Sequence, residues 1–423
     1  MLKFLIKGVF RDRHRYFFPL LIVSSGVLIM VFMLALINGY MDSFIRQNSG
    51  FETGHLKVVT RAYSELISQK PYDLGLLDIQ SDLQRWKQAY PQIDWVERIH
   101  FGALLDVPDT QGQTHEQGDV IGYGVDLLSS AKERQLMGLD KALAVGKFPA
   151  QASEILLSDK AFRRLRLNLG DPVTLIGSDV YGSLAFMRFT VVGTIKFGVE
   201  VLDRGAVIAD LADIRSMLDM EGGAGEILAF FKTGKYDPTA VKRVRDGFNR
   251  QFSDPEEEFS PLMLAMSDQN NMGYLMGMMR YLLGIFSLVF ICIMGIVLWN
   301  SGLMNGIRRY GEFGVRLAVG ESKRHIFWTL VLEAMVVGVA GSCIGIILGV
   351  LISWYFNIKG LDVSVFNRNS TLMTEDVVYT YVSLRTTLAG FIPGVLSTVL
   401  GAMLSGIAVF KRQTSQLFKE LEA

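Results

Sequence analysis

The chain has 423 residues, half of them hydrophobic, and its 42 basic residues balance 42 acidic ones. With a mean hydropathy of +0.30 and no net charge, it lacks the excess of positive charge that nucleic-acid binders carry. The two cysteines, Cys292 and Cys343, both fall in apolar runs, so no disulfide framework or cysteine zinc site serves the polar part of the chain.

Taken in chain order, the apolar runs are spread unevenly. Segment 16–41 contains no Asp, Glu, Lys or Arg; a mostly polar stretch, 42–280, follows; then come 281–307, 326–358 and 386–410, where Glu333 is the one acidic or basic residue. Each run exceeds the ~20 apolar residues a helix needs to cross a bilayer, and in lipid a helix satisfies its own backbone amides. The first run is too long for a cleaved secretory signal and reads as a retained anchor. The expected fold is therefore a multi-pass α-helical membrane protein of four transmembrane helices, with a large extracytoplasmic α+β domain between helices 1 and 2.

Flanking charge sets the orientation. Lys3, Lys7, Arg11, Arg13 and Arg15 precede the first run, Arg308, Arg309, Arg316, Lys323 and Arg324 lie between the second and third, and Lys411, Arg412 and Lys419 follow the fourth. The positive-inside rule then makes 1–15, the short loop 308–325 and 411–423 cytoplasmic, and leaves 42–280 and 359–385 outside.

The outer segment, large enough for one or two cores, reads as short strands and helices. Strand character appears at 55–60, a helix at 76–90 with Leu77, Ile79, Leu83 and Trp86 as its apolar set and Pro91 as its stop, then strands at 96–107 and 118–125. From 154 the pattern is a strand (EILLS), a helix over 159–167 with Asp159 near its start, a turn at 169–171, a strand (PVTLIG), a hairpin over 178–183, and strands at 189–193 and 205–209. A helix at 211–218, a strand at 226–231 and a helix at 238–252 complete an α+β domain. Just before the second run methionines cluster, and Met272, Met276, Met279 and Leu283 share one helical face. That face suits a flexible contact for lipid or acyl chains, thioether ligation of copper(I), or plain apolar packing.

Chemistry of other kinds finds little support. His55, His100 and His115 lack metal-ligand spacing, no nucleophile sits in a triad or elbow setting, and no G-x-x-x-x-G-K-[ST] motif occurs, so the chain binds no nucleotide by that route. The expected role is non-catalytic, with no metal and no cofactor in this chain.

At the third run the sequence reads NGIRRYGEFGVRLAVGESKRH and continues IFWTLVLEAMVVGVAGSCIGIILG. This resembles FtsX-like permeases, the MacB-type ABC transporter class that includes lipoprotein-releasing (Lol) permeases. Arg309, Glu312, Phe313, Gly314, Val315, Arg316, Gly320, Ser322 and Lys323 match that class's cytoplasmic motif, and Glu333, Gly338, Gly341, Gly345 and Gly349 its following span. The segments EILLSDK, LNLGDPVTL, FTVVGTIK and LDRGAVIADL resemble its outer domain. Glu321, where the motif often has Ala, and the proline-free tail TSQLFKEL depart from it.

The resemblance implies a coupling helix that docks on an ATPase dimer through Arg308, Arg309, Glu312, Phe313, Gly314, Arg316, Gly320, Ser322, Lys323 and Arg324, with ATP and Mg held by that partner, a separate polypeptide. It implies a bacterial inner-membrane complex that extracts a lipidated or apolar substrate, most directly a lipoprotein, and hands it to an extracytoplasmic carrier. Alternatively the chain transmits motion to an external partner without moving substrate through its own helices. Because four spans make too small a bundle for a pathway, a second copy or a homologous permease is expected beside it. Gly341, Gly345 and Gly349, with Ser397, Gly401 and Ser405 in the fourth run, form small-residue lines suited to close helix packing. Glu333 reads as a structural ion-pair partner near the cytoplasmic end.

Overall fold

The computed structural model describes residues 13–411 other than 110, 198–199, 309 and 363–376. It separates into two compact units, one formed by Ser43–Gly277 and the other by helices from the rest of the chain. Helix α1 (Arg13–Asn48) outlasts the predicted run and widens into a π-turn, Ser49–Thr53; Gly54, at φ +62°, then releases the chain into β1 (Leu56–Thr60).

Within Ser43–Gly277 the elements follow as α2 (Arg61–Glu65), α3 (Gln80–Ala89), β2 (Ile93–Pro108), β3 (Thr114–Val125), α4 (Lys132–Leu136), α5 (Leu139–Ala142), β4 (Leu143–Gly146) and β5 (Glu154–Ser158). Then come α6 (Asp159–Arg164), β6 (Pro172–Ser178), β7 (Leu184–Ile195), α7 (Glu200–Gly205), β8 (Ala206–Asp210), α8 (Leu211–Leu218), β9 (Glu226–Phe231), α9 (Pro238–Phe252) and β10 (Pro261–Ala265). One device recurs: the last strand residue caps the next helix. Thr60 accepts from the Tyr63 amide, Ser158 from Ala161 and Asp210 from Ala212, each satisfying a helix N–H that would otherwise lack a partner. Ser158 is thus the cap of α6 and Asp159 its first residue, as expected, though the helix ends at Arg164 rather than 167.

The ten strands form one mixed sheet in the order β10-β1-β9-β2-β3-β8-β5-β7-β4, with β6 pairing β2 and β7. One core gathers Leu56, Val58, Ile227 and Ala229 beneath α3 and α9, where Trp86 meets Phe248 edge-on at 5.0 Å. A second lies under α8, around Leu105, Ile155, Val173, Phe189 and Ile214. Helix α3 starts later than its apolar spacing suggests, because Leu76 is tied by a strand-like bridge to Ala224 and Asp78 turns through a φ of 50°. Leu77 consequently stays exposed. Strand β10 was hidden among the methionines: Met263 is fully buried in the sheet, and the Asn249 side chain both accepts from its N–H at 2.7 Å and donates to its C=O at 2.9 Å, blunting an open sheet edge.

The helical unit adds α10 (Met272–Arg308), α11 (Tyr310–Ala318), α12 (Lys323–Lys359), the short strands β11 (Leu361–Asp362) and β12 (Val377–Val378), and α13 (Leu384–Lys411). Among the described residues three helical stretches are long and apolar enough to cross a membrane, Phe17–Thr53, Met272–Val297 and Lys323–Lys359; Gly390–Leu404, in the fourth run, is a shorter apolar helix. Gly341, Gly345 and Gly349 face α1. A Cβ on them would lie 2.8 Å from that of Val23, 2.8 Å from that of Val27 and 3.0 Å from that of Val31. Buried Ser397 and Gly401 lie along α13, whose Gly394 meets Val27 and Ser342. The side chain of Ser405 is outside the described residues. Beyond β12 the chain straps across two helices: the Tyr381 amide donates to the Ala35 carbonyl at 2.9 Å, Thr380 bonds to the Ser353 carbonyl, and the Tyr379 carbonyl fills the space a side chain at Gly39 would need.

Candidate functional site

The segment between the second and third runs is built as an elbow. Helix α11 ends in a left-handed glycine: Gly320 has φ +97°, its N–H bonds the Leu317 carbonyl at 3.1 Å, and the Glu321 N–H bonds the Arg316 carbonyl at 3.0 Å. This paired closure satisfies the last carbonyls and favours glycine at that position. Two residues later Ser322 accepts from the His325 amide at 3.3 Å and starts α12. The Gly-x-Ser-Lys portion of the motif therefore stops one helix and begins the next.

What the elbow presents is mixed in character. Val315 and Val319, one turn apart on one face of α11, are 63% and 84% exposed. Glu312 and Arg316 lie beside them, 3.4 Å apart, an exposed pair worth little in stability. Gly314 lies between them in α11, while Lys323 and Arg324 are exposed at the start of α12. Arg309 lies outside the described residues, as do the side chains of Arg308 and Phe313. Glu333 is half-buried on α12.

The predicted methionine face divides. Met272 is buried in a cluster with Phe44 and Met266, whereas Met276 and Met279 are half-buried, and the side chain of Leu283 is outside the described residues. Packing thus takes Met272. Among the described residues no cluster of His, Cys, Asp or Glu is arranged to hold a metal.

The sequence reading missed a charged assembly buried on the sheet face opposite the Trp86 core. Lys57 of β1, Arg98 and His100 of β2 and Glu226 of β9 share this face by the two-residue strand period. The Glu226 carboxylate receives Lys57 Nζ at 2.6 Å, His100 Nε2–H at 2.7 Å and the Tyr63 hydroxyl at 3.4 Å. Burial alone would raise this carboxyl; Lys57 and His100 outweigh it and hold it well below the usual range. Burial and the nearby Lys70 ammonium push the His100 ring down to about 4, so at neutral pH it is uncharged, and its Nδ1 finds no hydrogen-bond partner among the described residues. A lysine inside an otherwise apolar strand, HLKVVT, was the available signal.

Comparison with known proteins completes the picture. Residues 17–246, more than half of the chain, match the model of the MacB-like periplasmic core domain, and residues 284–414 match that of the FtsX-like permease C-terminal domain. The chain belongs to the FtsX-like, MacB-type family of ABC transporter permeases. This permease is 25% identical over 368 residues to the "Lipoprotein-releasing system transmembrane protein LolC" of Xylella fastidiosa, a match covering 84% of this chain and 81% of that protein. It is 28% identical over 137 residues to the "Macrolide export ATP-binding/permease protein MacB" of Mannheimia succiniciproducens, covering 32% and 20%. The crystal structure of the periplasmic region of MacB from Actinobacillus actinomycetemcomitans aligns with a TM-score of 0.35 at 12% identity, over 52% of this permease and 91% of that chain.

Proposed function

We propose that this permease is the membrane subunit of an ATP-driven complex in a bacterial inner membrane, acting on a lipidated or apolar substrate, most directly a lipoprotein released from the outer leaflet. A separate ATPase dimer, holding ATP and Mg, docks on 308–325; four helices, counting α13, cross the membrane; and a second copy or a homologous permease completes the pathway. The observation that carries this reading is the elbow. A nine-residue helix, fixed by a glycine stop and a serine start, offers Val315 and Val319 bare between two helices of membrane-spanning length. The similarity, over 84% of this chain, to a protein named for lipoprotein release supports the cargo class.

A second reading, transmission of motion to an extracytoplasmic partner without transport through the helices, is favoured by the way α1 is fastened to the outer sheet, described below. Purification from native membranes tests both. Under the first, an ATP-binding subunit copurifies, Glu312→Arg abolishes its ATP-dependent coupling while insertion is unchanged, and photo-crosslinkers at Met276 or Met279 capture lipid or lipoprotein. Under the second the crosslinkers capture only a soluble external protein. Unchanged coupling in Glu312→Arg would refute the docking role.

A further inference from the structure

Helix α1 does not fray into a loop at its outer end. Its last turn opens into the π-turn Ser49–Thr53, where the Gly54 N–H closes on the Ser49 carbonyl and the carbonyls beyond it lie past the last intrahelical donor. Arg98, itself fully buried on β2, donates to two of them. Its Nη2 donates to the Gly50 carbonyl and its Nη1 to the Phe51 carbonyl, both at 2.7 Å, while Nε and Nη2 grip the two oxygens of Glu133 at 2.9 and 2.6 Å. Glu133 belongs to α4, so one planar guanidinium holds three elements in a fixed relative orientation.

Two more contacts remove the slack. A side chain at Gly50 would run into the Leu136 carbonyl, so the helix end lies directly on the α4 backbone. The amide of fully buried Gln269 donates to the Thr53 carbonyl at 3.1 Å and Asn270 to Glu52 at 3.1 Å, tying the segment that leads into α10 to the same turn. On its other side Arg98 is a backbone residue of a central strand, in register with Glu226 of β9 and Val125 of β3. Buried ion pairs are poor stabilisers compared with apolar packing. What a bidentate arginine on two successive carbonyls adds is a keyed connection that resists both sliding and rotation.

We infer that Arg98 is the positioning residue through which displacement of the first apolar helix is delivered to the outer sheet. The inference rests on the reading of this chain as an ATP-driven permease and names the joint that such a machine moves. The test is hydrogen–deuterium exchange by mass spectrometry on the full chain in lipid nanodiscs. Arg98→Met, and separately Gly50→Ala, which leaves every charge in place, are expected to speed exchange of amides 46–54 at least tenfold while β5 and β8 keep wild-type protection. Arg98→Lys, with charge but no fork, falls between. Wild-type protection of 46–54 in both Arg98→Met and Gly50→Ala overturns the inference, as does an equal rise across β5 and β8. With the copurified ATPase added, ATP alters exchange in β2 and β9 of the wild type and leaves them unaltered in Arg98→Met; an ATP effect of wild-type size in Arg98→Met also overturns it. A wild type that copurifies with no ATPase, or is indifferent to ATP, counts instead against the proposed function.

Discussion

Replacing Glu226 by Gln isolates one charge in the buried assembly while keeping the side chain's shape. The wild-type carboxylate is fully buried and answers an equally buried ammonium, Lys57, at 2.6 Å. With Gln in its place Lys57 must either stay charged without a counter-ion or give up its proton, and breaking such a pair from one side costs about 3–5 kcal/mol. In a domain of 150–250 residues each kcal/mol moves the midpoint by roughly 2–4 °C, so the expected fall is roughly 6–20 °C. The assay is thermal unfolding of the purified full chain, followed by fluorescence with Trp86 and Trp95 reporting on this domain. Lys57→Met combined with Glu226→Gln removes both charges and is expected to recover most of the loss. A fall below 2 °C in Glu226→Gln, or a double variant no more stable than the single one, would refute the reasoning.

Acid is expected to loosen the outer domain through two histidines. His55, lowered by burial, and His100, lowered by burial and by Lys70, both sit at about 4 against 6.5 when unfolded. Stability is therefore complete above pH 6.5 and lost as pH falls from 6.5 toward 4, by about 3 kcal/mol for the pair at pH 5.5; an unfolding midpoint unchanged between pH 7.5 and 5.5 would contradict this. Gly345→Val places methyl groups where the Ser24 carbonyl lies 2.6 Å from the new Cβ, so α1 and α12 should separate, and the loss of a crosslink between cysteines placed on them measures it. Gly39→Val should unseat the strap at 379–381 and speed proteolysis after Tyr381, without change in β1–β10. Gly320→Val, forced to φ +97°, is expected to cost about 1–2 kcal/mol locally and to lower ATPase retention during purification, whereas Gly320→Asn is expected to be tolerated.

Much of the outer domain was legible because its signals are local. Turn residues bracket β5 through β8, and α8 and α9 follow their apolar spacing to the residue, with Asp237 and Pro238 marking the second start. Strand β10 was not legible, since Met263 and Met266 fit a helical stripe as well as a strand and only pairing with β1, some two hundred residues earlier, decides between them. The elbow could be read from Gly320 and Ser322, whose backbone roles are set within a few residues. Arg98 could not: its partners Glu133 and the carbonyls of Gly50 and Phe51 are 35, 48 and 47 residues away. Nothing near them in sequence distinguishes this arginine from a solvated one.

The most direct test places a photo-crosslinking residue at Val319, the most exposed of the described apolar positions on the elbow, and identifies its adduct in intact cells. The expected product is a covalent complex with a protein carrying the nucleotide-binding motif that this chain lacks. An adduct formed only with an extracytoplasmic protein would contradict the assignment of 308–325 as the ATPase dock, and with it the proposed source of power.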